Sequence, residues 1–256
     1  MRLLIIRHGD PDYQHDALTE LGQKEAQLLA HYLSHRLPPP RRLFASPLGR
    51  AWETASYTAR ALNQEVTLLP WIEEAGVLQY RYAPAQSQAE ADQDARAASP
   101  RLHPLGPSVI AWDIPASDLD RLEALGSQWY LDPCLAHPDA EHYLERLQNG
   151  LLSFMDGFGI HAAPGGHWSC AQPLPQGDVA IFCHLGSGLL LISRLTGLPA
   201  PLLWKRIWLA PSSISSLLLE QQEDGRVNFR ITQLGATPHL TPALEGNHSG
   251  LQYNPL

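Results

Sequence analysis

Twice in this chain an unbroken apolar run gives way at once to a short polar segment that holds a histidine. Residues 3–6 (LLII) lead into Arg7-His8-Gly9, and residues 179–183 (VAIFC) lead into His184-Leu185-Gly186. Short continuous apolar runs of this kind read as strands buried on both faces. A sheet covered on both faces needs helices on each side, which favours parallel strands joined by crossovers. Ligands of open α/β sheets sit beyond the carboxyl ends of the strands. If the two runs are neighbours, both imidazoles lie at one such edge. The plainer reading is that each histidine only terminates a strand, and a lone Arg-His-Gly tripeptide is a weak motif.

The segments between the runs fit that architecture. "LTELGQKEAQLLAHYLSHR" places Leu21, Leu28, Leu29, Tyr32 and Leu33 on one helical face, with Thr19 as N-cap and Pro38 to end it. "RLFAS" reads as a strand, and "SPLGRAWETASYTARAL" as a helix capped by Ser46 with Pro47 at its first position. "VTLL" at 66–69 is a third strand. "PDAEHYLERLQNGLLSFMDGFG" is a helix with Leu144, Leu147, Leu151, Phe154, Met155 and Phe158 on one face. "APGGHWSCAQPLPQGD" reads as loop. "SISSLLLEQQEDGRVNFRITQL" is a hairpin about Asp224-Gly225. The pattern predicts one α/β domain over 1–256, a three-layer α/β/α sandwich with a mainly parallel sheet, crossover helices and an inserted cap at about 76–177. Within that insertion, residues 76–135 differ most from their surroundings.

The 256 residues are 44% hydrophobic and 17% charged, which fits a globular chain rather than a disordered one. A net charge of −8 without a Lys/Arg stripe argues against nucleic acid as partner. No stretch has the length of a membrane span, and residues 3–6 are too short for a signal-peptide core, so a cytoplasmic location is expected. Three scattered cysteines (Cys134, Cys170, Cys183) suggest neither a disulfide framework nor a zinc ribbon.

Arg50 adds to the histidine pair. It falls in the first turn of the helix after the second strand, where free backbone N–H groups favour anions. Arg7, Arg50, His8 and His184 would form a cationic pocket on an acidic protein. Phosphate suits the forked geometry of arginine.

These residues resemble the histidine phosphatase superfamily, the phosphoglycerate-mutase-like fold. Arg7-His8-Gly9 matches its defining motif, "LTELGQKEA" the helix that follows, "SPLGRAWETA" the segment with the second arginine, and "FCHLGSG" the second histidine. "LGATPHL" resembles a common tail. The matches run in family order over 1–75 and 178–240. The resemblance implies a phosphate monoesterase that needs no metal or other cofactor and acts on a small phosphorylated metabolite. His8 would be the nucleophile and form a phosphohistidine. Arg7, Arg50 and His184 would hold the phosphoryl oxygens, with Gly9 and Leu185 beside them. After the third strand, "LLPWIEEAG" offers the proton donor. The family register favours Glu74, with Glu73 as rival.

The run after the motif, Asp10-Pro11-Asp12-Tyr13, departs from the glutamate common in the family. It weakens the case for a phosphoglycerate mutase. Asp10 and Tyr13 either line the entrance or Asp10-Pro11 is simple turn chemistry. A phosphate-shuttling mutase and a phosphate-recognition module without turnover stand as alternative functions. His161, His167 and Cys170 tempt a zinc reading, but their spacing is poor for one. In "QYRYAP", Tyr80, Arg81 and Tyr82 are either surface packing or a second anion contact. Trp204 and Trp208, at helical spacing, read as core.

Overall fold

The computed structural model describes residues 1–36, 38–81, 108–114 and 116–240. Its elements in chain order are β1 (Arg2–Arg7), β2 (Pro11–Asp12), β3 (Ala17–Leu18), α1 (Glu20–His35), β4 (Pro40–Ala45), α2 (Gly49–Leu62), β5 (Val66–Leu68), β6 (Gln79–Arg81) and β7 (Ser108–Ile110). There follow α3 (Ala116–Ala124), α4 (Pro138–Asp156), β8 (His161–Ala163), β9 (His167–Ser169), β10 (Asp178–Cys183), α5 (Leu185–Thr196), α6 (Ala200–Arg206), β11 (Ile214–Gln221) and β12 (Arg226–Ala236).

Eight strands form one sheet in the order β5-β4-β10-β1-β11-β12-β9-β8. The first four are mutually parallel, and from β11 onward each pairing is antiparallel. The two apolar runs noted in the sequence are thus central neighbours, paired in register from Arg2↔Asp178 to Arg7↔Cys183. The alternation of side chains along β1 accounts for the layers. Leu4 and Ile6 point to a cluster with Leu29 and Leu33 of α1 and Ala55 and Ala59 of α2. Leu3 and Ile5 point to the opposite cluster, which holds Leu147, Leu151 and Phe154 of α4 and Leu189 and Ile192 of α5. Fully burying each such aliphatic side chain contributes about 1.5–3 kcal/mol, so this double-sided strand is a main anchor of the fold.

Thr19 caps α1 as expected, its hydroxyl accepting from the Gly22 N–H at 3.1 Å. Ser46 does not cap α2. The helix begins at Gly49 with Leu48 at the cap position and no side-chain cap; the Ser46 hydroxyl, two residues earlier, accepts from the Leu48 N–H at 3.3 Å. The 163–178 stretch, read as loop, contains β9, whose pairing partners are Arg226 and Val227 of β12. Local Gly and Pro content hid a strand held by distant residues. The α4 face and the β8–β9 hairpin belong to the main layers, and of the described residues at 76–135, Leu78, Tyr80, Ala111, Ile114, Leu122 and Trp129 join the same core cluster as Leu3 and Ile5. Tyr82, the polar run at 86–100 and the Arg81 side chain lie outside the described residues.

Candidate active site

Each parallel strand delivers one polar segment to the same sheet edge. His8 follows β1, His184 follows β10, Ser46 to Arg50 follow β4, and Glu73-Glu74 follow β5 through the 3₁₀ turn Pro70–Ile72. The strand tips are tied together by the backbone. The His8 N–H donates to the Cys183 carbonyl at 2.9 Å, the Ser46 N–H to Phe182 at 2.9 Å, and the Leu69 N–H to Ala45 at 2.8 Å.

The His8 and His184 rings lie 5.2 Å apart, edge to face. His8 Nδ1 is 2.7 Å from its neighbour's carbonyl, that of Gly9. A carbonyl only accepts, so the proton resides on Nδ1 and Nε2 keeps its lone pair. The Arg50 Nε–H donates to that Nε2 at 3.3 Å. Burial, then Arg7 and Arg50, holds the His8 pKa well below the usual imidazole value, although the Gly9 carbonyl opposes the shift. Burial, His8, Arg50 and Arg7 do the same to His184. Both imidazoles are therefore neutral near pH 7, and the positive charge of the pocket comes from the two arginines. His184 Nε2 shares a 2.8 Å hydrogen bond with the Ser46 hydroxyl. Its Nδ1 is buried with no protein partner.

Arg7 is buried. It donates from one terminal nitrogen to the Leu209 carbonyl at 2.6 Å, lies 4.8 Å from the Trp208 ring, and has a buried Nε with no partner. Arg50 is held by Asp16. One Asp16 oxygen accepts from the Arg50 guanidinium at 2.5 Å, and the other accepts from the Gly49 N–H at the start of α2 at 2.6 Å. Tyr13, 66% exposed, lies 5.3 Å from the Arg50 guanidinium.

The two glutamates diverge. Glu74 Oε1 accepts from the N–H groups of Ala75 at 2.8 Å and Ser187 at 3.0 Å. Burial raises its pKa against the pull of those bonds and of Arg7 and Arg50. Glu73 faces outward and pairs with Arg146 at 3.1 Å. Gly186 at the start of α5 allows this packing. A Cβ there would collide with the Trp112 ring and come within 2.8 Å of Glu74 Oε1.

The remaining expected residues divide. The Gly9 N–H donates to the Thr54 hydroxyl at 3.0 Å, so it offers no donor to a ligand; its carbonyl orients His8 instead. Leu185 is the first residue of α5, where backbone N–H groups lack intrahelical partners. The Asp10 carboxylate accepts from the Thr19 hydroxyl at 2.7 Å, a tie across nine residues to the cap of α1. Of the paired tryptophans, Trp204 is core, and Trp208, beyond the end of α6 at Arg206, packs against the core and also meets Arg7. His161 pairs with Asp156, and the Cys170 thiol donates to the Gln172 carbonyl. Among the described residues no group of three His, Cys, Asp or Glu is placed to hold a metal, and no helix is long and apolar enough to cross a membrane.

Sequence reading missed Asp16 and Glu25. Glu25 is buried and accepts from the Asp10 N–H at 2.8 Å, supporting the loop after His8. Its spacing of four from both Leu21 and Leu29 marked it as lying on the apolar face. Asp16 sits in an irregular loop with positive φ (47°) and had no periodic signal.

Residues 3–114 match the family model of the histidine phosphatase superfamily (branch 1). That span contains Arg7, His8, Arg50 and Glu74, so the resemblance read from the motifs is shown there. No curated protein matches the sequence. Solved structures with this fold include a mycobacterial glucosyl-3-phosphoglycerate phosphatase with inorganic phosphate, at TM-score 0.55 and 21% identity over 94% of this chain and 99% of that one. A phosphoserine phosphatase variant from Entamoeba histolytica in complex with phosphoserine matches at TM-score 0.53 and 16% identity, over 94% and 99% of the two chains. An alpha-ribazole phosphatase from Shigella flexneri matches at TM-score 0.51 and 18% identity, over 93% and 97%.

Proposed function

We propose that this chain is a metal-independent phosphatase that hydrolyses a small phosphate monoester through a phosphohistidine on His8. The observation that carries the reading is the state of His8: a buried neutral imidazole, its proton committed to the Gly9 carbonyl, with the Nε2 lone pair beside the Arg50 guanidinium. That is an activated nucleophile next to a cation suited to phosphoryl oxygens. The unpartnered Arg7 Nε and His184 Nδ1 supply further donors.

In this mechanism His8 Nε2 attacks phosphorus while Arg7, Arg50 and His184 bind the equatorial oxygens. Fixed donors of this kind stabilise the charge of the transition state without reorganisation. The ester oxygen leaves with a proton from Glu74, whose raised pKa favours the protonated form. Glu74, now a carboxylate, takes a proton from water. The water oxygen attacks phosphorus, the P–N bond breaks, and His8 and inorganic phosphate are regenerated. Of the stretch expected to form a cap on this single domain, Trp112 lies beside the Glu74 carboxylate, on the side of the leaving group.

The test uses a ³²P-labelled monoester. Wild type should release phosphate and carry an alkali-stable, acid-labile label on His8; His8→Ala should do neither. Turnover by His8→Ala equal to wild type would remove the assignment. Isomerised ester without phosphate release would favour the mutase.

A further inference from the structure

Three aromatic rings from three distant segments meet the polar groups of this pocket. Trp208, from the stretch between α6 and β11, lies against Arg7 at 4.8 Å. Tyr13, from the loop after β1, lies 5.3 Å from Arg50 and is largely open to solvent. Trp112, between β7 and α3, packs so closely on Gly186 that a Cβ is excluded there, beside Glu74 Oε1. The rings therefore flank both the phosphate-holding arginines and the group that would protonate the leaving oxygen. The Trp208 indole N–H is buried and has no partner in the protein.

The charges around the pocket point the same way. Arg7 and Arg50 serve the phosphoryl group. The acidic groups beside them are Asp16, bonded to Arg50, and Glu74. Among the described residues, Arg121 is paired with Asp132 and Arg146 with Glu73. Against these described groups, a leaving group bearing its own carboxylate or second phosphate would meet Asp16, Glu74 and cations already paired. A flat, uncharged ring would meet aromatic faces and edges, with which it stacks favourably.

We propose that the site selects phosphate monoesters whose alcohol is planar and aromatic and carries no second anionic group, with Trp112 and Tyr13 as specificity-determining residues. This rests on the phosphatase reading of the same pocket. Binding of phosphonates, which cannot be hydrolysed, tests it separately from turnover. Calorimetry should give phenylphosphonate a Kd about tenfold below that of phosphonoacetate, the size expected of one good aromatic contact. Trp112→Ala should shrink that ratio to about threefold or less, and Trp112→Phe should restore it. Tyr13→Ala, at an exposed position, should narrow the ratio as well and provides the reading if Trp112→Ala does not fold. Equal or tighter binding of phosphonoacetate overturns the proposal, as does an unchanged ratio in the variants that fold. A retained aromatic preference without any phosphohistidine label removes the phosphatase reading and leaves the ligand class standing.

Discussion

Replacing Glu74 with Gln separates proton donation from everything else the site does. Glu74 Oε1 accepts two backbone N–H groups, and a Gln carbonyl can do the same, so the loop and the start of α5 keep their geometry. What is lost, on the proposed mechanism, is an acidic proton at the leaving oxygen. A positioned general acid contributes about 10²–10⁴-fold, or roughly 3–5 kcal/mol of barrier. That cost applies only where the leaving oxygen needs a proton. Glu74→Gln should therefore lower kcat/KM for an alkyl phosphate by about 10²–10⁴-fold. For p-nitrophenyl phosphate, whose phenolate leaves unaided, the loss should be roughly tenfold or less, because the protonation term drops out. Glu73→Gln, which touches only an exposed pair with Arg146, should leave both within about twofold. The pH profile gives a second reading. The raised pKa of Glu74 keeps the acid protonated further toward neutrality, so wild-type turnover of the alkyl ester should fall as pH rises through that pKa. This limb should vanish in the variant. Equal losses on both esters, or an equal loss in Glu73→Gln, would refute the assignment of the acid.

Other perturbations test the surroundings. Asp16→Asn keeps an acceptor for the Gly49 N–H but removes the charge that competes with phosphate for Arg50; the Ki of inorganic phosphate should drop roughly two- to fivefold, and a higher Ki would contradict the competition. Ser46→Ala strips His184 Nε2 of its partner in a buried setting, so urea unfolding should show a loss of about 1–3 kcal/mol. Ile5→Ala, on the doubly covered strand, should cost about 2–5 kcal/mol in the same assay. His239 is pushed down to about 4 by burial. A depressed histidine contributes stability that is full above the unfolded pKa near 6.5 and lost as pH falls through about 4; His239→Gln should flatten that part of the stability–pH curve.

The sequence disclosed the parallel half of the sheet because β1 and β10 are apolar on both faces, and a strand covered twice has no polar alternation to confuse it. His8, His184 and Arg50 were legible because each follows directly on an element whose start or end is locally encoded. Glu74 was narrowed to a pair, since adjacent side chains diverge but nothing local says which turns inward. β9 was hidden because the Pro-Gly-Gly turn that folds it back on β8 reads as loop, and its other partner, β12, lies more than fifty residues away. Asp16 was illegible for the same reason, its contact with Arg50 being long-range. Trp208 packs against the core as read, but its contact with Arg7, also long-range, had no local signal.

Across the tips of β4, β10 and β1 stand, in spatial order, the Ser46–Arg50 segment, His184 and His8. Glu74 comes from the segment after β5, yet its carboxylate rests on the Ser187 N–H at the start of α5, the helix that follows His184. On the proposed mechanism the acid and the second histidine are thereby yoked through one helix start, so a change at Gly186 or at the Trp112 ring packed on it would disturb proton delivery before it reached Arg7 or Arg50, which other strands carry.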